Sequence, residues 1–126
     1  MALLQFGKRS LRDEGRQRQA ALVAFAACPE LKHVILVDDD VDIFDSTDIL
    51  WALTTRYQGD VSTVFVPGVR GHPLDPSQSP SFSRSIPAEG VSCKTIFDCT
   101  VPFDLKDRFR RSEFMDVDLT RFVGGN

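Results

Sequence analysis

Four short apolar runs along the chain have the length and composition of β-strands. They are ALLQF at residues 2–6, HVILV at 33–37, VSTVFV at 61–66 and VSCKTIFDCT at 91–100. The second run is hydrophobic at nearly every position rather than at alternate ones, which is typical of a strand covered on both faces, as in a parallel sheet. The pattern therefore predicts a sheet with helices packed on it.

A first helix is predicted for residues 11–28, polar in its first half and rich in alanine in its second. Ser10 is its expected N-cap, and Asp13 stands three residues later, where it completes a capping box. Gly15 lies inside this helix at a small cost in stability. Pro29 is expected to end it, because the residue before a proline avoids the helical region.

Two more helices are predicted after the second and fourth strands. STDILWALTTRY, residues 46–57, has apolar residues near helical spacing, and DLKDRFRRSEF, residues 104–114, is predicted to be a charged helix. The opening order of strand, helix, strand, helix, strand implies right-handed crossovers. The predicted fold is α/β: a small three-layer sandwich with a mostly parallel sheet.

A long loop interrupts this regular order. Residues 67–90 are rich in Pro, Gly and Ser, and the third strand is expected to end at Pro67 and Gly68. Loops of that length within a compact domain are usually functional or disordered. We predict one α/β domain over residues 1–115, containing this loop, and a loosely held tail at 116–126.

Composition narrows the class of protein. Charged residues make up 26% of the 126 residues and the net charge is −3, with no aromatic-interleaved basic patch. This argues against disorder and against nucleic-acid binding. The longest apolar stretch, AALVAFAAC, is too short to span a membrane. The three cysteines have no metal-ligand spacing and are odd in number, so we expect reduced thiols in a cytoplasmic protein.

An acidic run follows the second strand in HVILVDDDVDIF. Its carboxylates are Asp38, Asp39, Asp40 and Asp42. One interpretation is an Asp-x-Asp site that holds Mg²⁺ or Mn²⁺ against a nucleotide sugar. A receiver-type phosphoacceptor fits poorly, because it needs an acidic pair after the first strand. The third interpretation is structural and is favoured. Asp45 caps the next helix, and acids near its N-terminus each contribute about 0.3–1 kcal/mol. Because close carboxylates repel, some are expected to be well solvated or paired with Lys or Arg.

Three motifs occur in a characteristic order. LKHVILVDDDVDIFDSTDILWALTTR spans residues 31–56, VPGVRGHPLDPS spans 66–77 and CKTIFDCT spans 93–100. Together they resemble the C-terminal domain of UbiD-type decarboxylases, with its lysine-strand-aspartate segment, its Pro-Leu loop and its lysine…aspartate-x-threonine strand. Residues 68–77 are most similar to the branch that acts on hydroxylated aromatic acids such as gallate or protocatechuate.

The resemblance implies chemistry that lies outside this chain. Enzymes of the family use prenylated FMN with Mn²⁺ and K⁺, and the cofactor acts as the electron sink. Their Glu/Arg/Glu set belongs to a flavin-binding barrel, whose glutamate-glycine-proline-phenylalanine-glycine-glutamate motif is absent here. We therefore expect no catalytic, cofactor-binding or metal-binding residue in this chain. The isolated chain is predicted to be inactive.

The resemblance also implies candidate substrate-binding residues. His72, Pro73 and Leu74 match the family loop that closes over the substrate, and His72 is suited to hydrogen-bond a phenolic hydroxyl or a carboxylate near neutral pH. Arg70 is a further candidate for binding a carboxylate. Lys94 and Asp98 match the family strand motif and are placed to pair on one face.

The predicted function is therefore that of a domain within a reversible aromatic or unsaturated acid (de)carboxylase. It covers the substrate pocket by hinged closure and aids oligomerisation. Its expected partners are a flavin-binding domain or subunit and further copies of itself. Two alternatives stay open at this point: a stand-alone interaction or regulatory subunit without catalysis, and the Asp-x-Asp nucleotide-sugar enzyme.

Overall fold

The computed structural model describes residues 1–86 and 89–111, and its core is a four-stranded sheet with one α-helix on each face. The strands are β1 (Ala2–Phe6), β2 (His33–Asp38), β3 (Thr63–Arg70) and β4 (Val91–Cys99), the helices are α1 (Arg16–Ala27) and α2 (Ser46–Thr55), and 3₁₀ turns cover Leu11–Asp13, Pro76–Gln78 and Phe103–Phe109. The predicted α/β class and three-layer arrangement are confirmed.

The sheet order is β1-β2-β4-β3. β1 and β4 flank β2 in parallel, and β3 pairs with β4 in the antiparallel direction. The mostly parallel sheet is thus confirmed. The predicted parallel crossover from β2 to β3 is wrong, because β3 lies at the edge of the sheet and runs antiparallel to β4.

β2 is covered on both faces, as its unbroken hydrophobicity predicted. Ile35 and Val37 pack in one cluster with residues of α2, while Val34 and Leu36 pack in another with residues of α1. All four side chains are buried. Burying an aliphatic side chain of this size contributes about 1.5–3 kcal/mol, so β2 is the main attachment of both helices.

The predicted helix over residues 11–28 is two elements. Ser10 and Asp13 form the expected capping box, but it caps a 3₁₀ turn that ends at Asp13. Gly15 then adopts a left-handed conformation with φ of 88°, and α1 begins at Arg16. A residue with positive φ cannot continue an α-helix, and glycine adopts it without steric cost. The prediction of one continuous helix is therefore wrong for its first residues, before Arg16.

Two other boundaries differ from the sequence prediction. β3 continues through Pro67 and Gly68 to Arg70, because a bulge between Val66 and Val69 accommodates the proline, which has no N–H to donate. Where the structure describes the predicted charged helix at 104–114, it has a 3₁₀ turn over Phe103–Phe109 instead; residues 112–114 lie outside the described residues. The predicted tail at 116–126 lies outside the described residues. In the described ranges, no helix has the length and apolar character that a membrane span requires.

Candidate functional site

The predicted substrate-binding loop follows β3 and lies beside the start of β2. Asp75 caps the 3₁₀ turn at Pro76–Gln78 by accepting a hydrogen bond from the Ser77 amide at 2.9 Å. Its other oxygen lies 2.8 Å from the ammonium of Lys32, the residue that precedes β2. The Lys32 hydrogen bond is the main cause that lowers the pKa of Asp75 to about 2. This ion pair attaches the loop to the amino end of the sheet.

A second attachment secures the beginning of the loop. The Gly71 amide donates to the Gly90 carbonyl at 3.0 Å, and the buried Gln78 side chain donates to the His72 carbonyl. A Cβ atom on Gly71 would lie 2.0 Å from Gln78 Oε1 and 2.8 Å from Ser92 Cβ. No side chain fits there, so Gly71 is required for the loop to pack against β4.

His72, Pro73 and Leu74 are brought together at the tip of this loop. The Leu74 amide donates to Nδ1 of His72 at 3.0 Å, so the neutral ring carries its proton on Nε2. That nitrogen lies 3.6 Å from Glu30 Oε2, and the side chain is 38% exposed. Pro73 is exposed and Leu74 is 83% exposed. The tip therefore presents one N–H donor beside an apolar surface.

Arg70 is not part of this tip. It is exposed at the end of β3, where its guanidinium lies 2.6 Å from the position that a Cβ atom of Gly90 would occupy. It lines a separate cavity of about 310 Å³ between α1 and the sheet, together with Lys94. The structure thus places three of the four predicted site residues together and the fourth on a different surface.

The acidic run lies at the opposite, carboxyl end of the parallel strands. Asp38 is 3% exposed and accepts hydrogen bonds from Arg56 at 2.9 Å and from the Val101 amide at 3.0 Å. Asp40 accepts two bonds from the same guanidinium, at 2.6 and 2.7 Å. Burial raises the pKa of Asp38, while the Arg56 hydrogen bonds lower that of Asp40. Arg56 thus neutralises much of the charge of both carboxylates.

A second arginine extends this network over α2. Arg111 contacts both oxygens of Asp48, at 2.7 and 2.9 Å, and donates to the Asp40 carbonyl at 3.0 Å. Its guanidinium and that of Arg56 lie over the Trp51 ring, 4.1 and 4.8 Å from the ring centroid. The contacts join the last described residues to the acidic run.

This geometry is structural in character. The Asp45 side chain accepts from the Thr47 amide at 3.0 Å, which confirms the predicted cap of α2. Within residues 1–86 and 89–111, no group of three or more His, Cys, Asp and Glu side chains is placed to hold a metal ion. Carboxylates already bound to arginine are poor ligands for Mg²⁺ or Mn²⁺, which favours the structural interpretation over the Asp-x-Asp site.

The predicted pairing of Lys94 with Asp98 is wrong. Asp98 binds α1 instead, accepting from Arg18 at 2.7 Å and from Gln17 at 3.2 Å. Lys94 donates to the carbonyl of Pro29 at 2.5 Å. Side chains four apart on a strand share a face but are too far apart to make direct contact. Each therefore takes a partner from α1 or its C-terminal end.

A cavity of about 590 Å³ also opens at the carboxyl end of the sheet. Three of its lining cations already have acidic partners: Lys8 binds Glu14, Arg18 binds Asp98 and Arg56 binds Asp38. Sequence spacing gave no signal for the two arginine pairs, because 80 and 18 residues separate their members. With its charges paired internally, this cavity has little electrostatic preference for an anion.

Comparison with known proteins identifies a consistent set of relatives. A family model described as the C-terminal domain of 3-octaprenyl-4-hydroxybenzoate carboxy-lyase, UbiD, matches residues 1–99. The gallate decarboxylase of Lactiplantibacillus plantarum is 52% identical over 118 residues, which are 93% of this chain and 24% of that protein. The chain thus spans about a quarter of the length of this relative.

Solved structures agree with the sequence matches. The apo 3,4-dihydroxybenzoic acid decarboxylase of Enterobacter cloacae is 65% identical, with a TM-score of 0.85 over 96% of this chain and 25% of that one. A UbiD-class enzyme of Pelotomaculum thermopropionicum, in complex with FMN, is 32% identical, with a TM-score of 0.72 over 96% of this chain and 24% of that one. The fold described above therefore recurs as one part of longer proteins.

Proposed function

The chain belongs to the family of UbiD carboxy-lyase C-terminal domains, and from this we propose that it is the C-terminal domain of a decarboxylase acting on hydroxylated aromatic acids. The observation that carries the proposal is its 65% identity, over 96% of its length, to a 3,4-dihydroxybenzoic acid decarboxylase. The similarity to a gallate decarboxylase supports the same substrate class.

We propose that the loop tip covers the substrate. The Lys32–Asp75 ion pair and the buried Gln78 hold the loop from both sides, so its tip is presented by a rigid base. Leu74 provides apolar surface against an aromatic ring. His72 Nε2–H is available to donate to a phenolic oxygen or a carboxylate, and a positioned donor of this kind discriminates strongly against analogues that lack the acceptor.

We propose that the cofactor and its metal ions bind to a part of the enzyme outside this chain. The carboxylates of the acidic run do not fit a metal site because Arg56 binds two of them. We propose that prenylated FMN, with Mn²⁺ and K⁺, is held by a flavin-binding domain or subunit, where it supplies the electron sink for decarboxylation. Consistent with this, one relative has FMN bound. This chain contributes the cover of the pocket and contacts between subunits.

The test of this function is a change of substrate preference in the complete enzyme. His72→Phe removes the Nε2–H donor while keeping a planar ring. We expect kcat/KM for 3,4-dihydroxybenzoate to fall about tenfold or more relative to that for an aromatic acid without ring hydroxyls, because a buried hydrogen bond lost from one partner costs about 1–3 kcal/mol.

His33→Phe is the matched control for this experiment. His33, the other histidine of the chain, stacks edge-on against Phe97 with ring centroids 5.8 Å apart, and its Nδ1 has no partner among the described residues. The preference should be unchanged in this variant. An equal preference in His72→Phe and the parent enzyme would contradict the proposed role of the loop.

A further inference from the structure

Among the buried cations of residues 1–86 and 89–111, one has no acidic partner within those ranges. Lys94 of β4 is 3% exposed. Its ammonium donates to the Pro29 carbonyl at 2.5 Å and lies 5.4 Å from the centroid of the Phe25 ring, with the Cys28 thiol also nearby. No Asp or Glu among the described residues pairs with it. Burial lowers the pKa of Lys94. A buried charge without a counter-ion costs free energy that an incoming anion would recover.

Lys8 shows that this chain provides a partner where a lysine is buried for structural reasons. It is also 3% exposed. Its ammonium, however, binds the Glu14 carboxylate at 3.1 Å and the Val101 carbonyl at 3.0 Å. The two lysines have the same exposure and differ in whether a carboxylate meets the charge. This difference distinguishes Lys94 from an ordinary structural lysine.

Lys94 lines a cavity of about 310 Å³ whose walls are mostly apolar. Leu22, Phe25 and Ala26 of α1 form one side, and Val66 and Val69 of β3 form the other. A volume of this size is at the lower end of the range found for small-molecule sites. The cavity therefore combines apolar walls with one ammonium that pairs with no carboxylate of the described residues.

A second cation lies at the same cavity. Arg70 is exposed and lines it from the end of β3. Its guanidinium packs over Gly90, whose φ of 76° and missing side chain leave that space open. Two positive charges, one buried and one exposed, thus border a single apolar cavity. A ligand that matches them has a carboxylate attached to an apolar body.

We propose that this cavity is a binding site for a small aromatic monocarboxylate, with Lys94 as the buried counter-ion and Arg70 at the rim. The ring lies against Phe25 and the valines of β3, and the carboxylate accepts from the Lys94 ammonium. This site is separate from the loop tip of the proposed function and does not depend on it. It is a second place where an aromatic acid binds.

Titration of the 126-residue chain with benzoate, followed by ¹H–¹⁵N NMR, tests the site. We expect shifts of the amides of Phe25, Ala26 and Lys94, with a dissociation constant of about 1 mM. Benzamide lacks the charge and acetate lacks the ring, and each should bind at least about tenfold more weakly. Equal binding of either analogue would overturn the proposal.

Two variants of the site and one matched control complete the test. Lys94→Met keeps an unbranched chain in an apolar site and should weaken benzoate binding about tenfold or more. Arg70→Gln, at an exposed position, should weaken it about threefold. Lys8→Met removes the other buried lysine and should leave benzoate binding unchanged. Unchanged affinity in Lys94→Met, with its amide spectrum still that of the folded chain, would overturn the proposal.

A measurement on the complete enzyme shows whether the cavity binds a free carboxylic acid or is filled by a carboxylate of another domain. Hydrogen–deuterium exchange of the peptide covering residues 22–30 should slow on addition of benzoate in the enzyme, as in the isolated chain. If another domain fills the cavity, benzoate will have no effect there, and the small-molecule site will be wrong. Neither result depends on the His72 experiment, so the two proposals fail separately.

Discussion

At the residue scale, Arg56 joins two carboxylates of the acidic run to a backbone carbonyl. It is 9% exposed and binds Asp38, Asp40 and the Phe109 carbonyl at once. The sequence indicated that some acids of the run are either well solvated or paired with Lys or Arg, and the structure shows the pairing for Asp38 and Asp40. Which basic residue does so was not evident from the sequence, because Arg56 follows at the far end of α2 and only the packing of that helix brings it back.

Arg56→Met should therefore be strongly destabilising. The substitution leaves the Asp38 carboxylate buried without its cation, and breaking a buried pair in this way costs about 3–5 kcal/mol. Urea unfolding should show a large decrease in the midpoint. Adding Asp38→Asn to the variant should recover part of the loss, since the uncompensated charge is then removed.

Arg110→Met is the matched control for that measurement. Arg110 pairs with Asp107 at 2.9 Å, but both side chains are more than 80% exposed. Exposed pairs contribute little to stability, so the midpoint should hardly move. Similar midpoints for Arg56→Met and Arg110→Met would show that the acidic run does not depend on its arginine.

At the element scale, the loop after β3 is ordered by contacts that no local pattern indicates. A Pro/Gly/Ser-rich composition predicted an irregular segment, and the described part of the loop contains the 3₁₀ turn at Pro76–Gln78. Its attachment depends on Lys32 and on Gln78, which meet Asp75 and the His72 carbonyl only in the folded chain. The tip residues are together because they are consecutive, whereas their orientation comes from these anchors.

The pH dependence of this loop follows from Asp75. Its pKa is lowered from 3.8 to about 2, chiefly by Lys32. A depressed carboxyl pKa stabilises the fold above the unfolded value, and that contribution is lost as pH falls through about 2. The Ser77 amide shift, which reports the bond to Asp75, should therefore titrate with a midpoint near 2.

Lys32→Met should raise that midpoint toward 3.8, since the main cause of the depression is removed. Lys106→Met serves as the control, because Lys106 donates to the carbonyl of Lys8, which follows β1 at the opposite end of the sheet. Its Ser77 titration should match the parent chain. The ion pair would be ruled out as the cause if Lys32→Met titrated at the parent midpoint.

At the scale of the whole molecule, part of the apolar side-chain surface is exposed to solvent. Several large apolar side chains are more than 60% exposed. They include Phe44, Leu50, Val61, Phe65 and Phe82. Exposed apolar residues are common on protein surfaces, and where they form a contiguous patch they mark a surface that contacts other protein. Exposed apolar side chains are expected for a chain that spans about a quarter of the length of its relatives.

The isolated chain should therefore self-associate as its concentration rises. Sedimentation velocity should show an increasing weight-average mass, and Phe65→Ser, on the edge strand β3, should reduce it. Thr54→Ser is the control, because Thr54 is exposed on α2 and its hydroxyl donates to the Leu50 carbonyl within the same helix. This variant should leave the mass unchanged. A constant monomer mass at high concentration would contradict the prediction.

The sequence by itself determined the class of the fold and the order of its elements. Unbroken hydrophobicity marked β2 as a strand covered on both faces, and the capping signals of Ser10 and Asp45 placed two element starts, because these signals act over a few residues. The family resemblance likewise depended on motifs of consecutive residues. His72, Pro73 and Leu74 lie together at the loop tip because they are consecutive in one of these motifs.

Only the tertiary structure decided the interactions between distant residues. Gly15 breaks the first helix, β3 runs antiparallel past Pro67, and Asp98 binds α1 rather than Lys94. Each outcome depends on which surfaces meet after folding, and spacing along the chain carries no information about that. That no carboxylate in the described part of the chain lies beside Lys94 is likewise a property of three-dimensional packing.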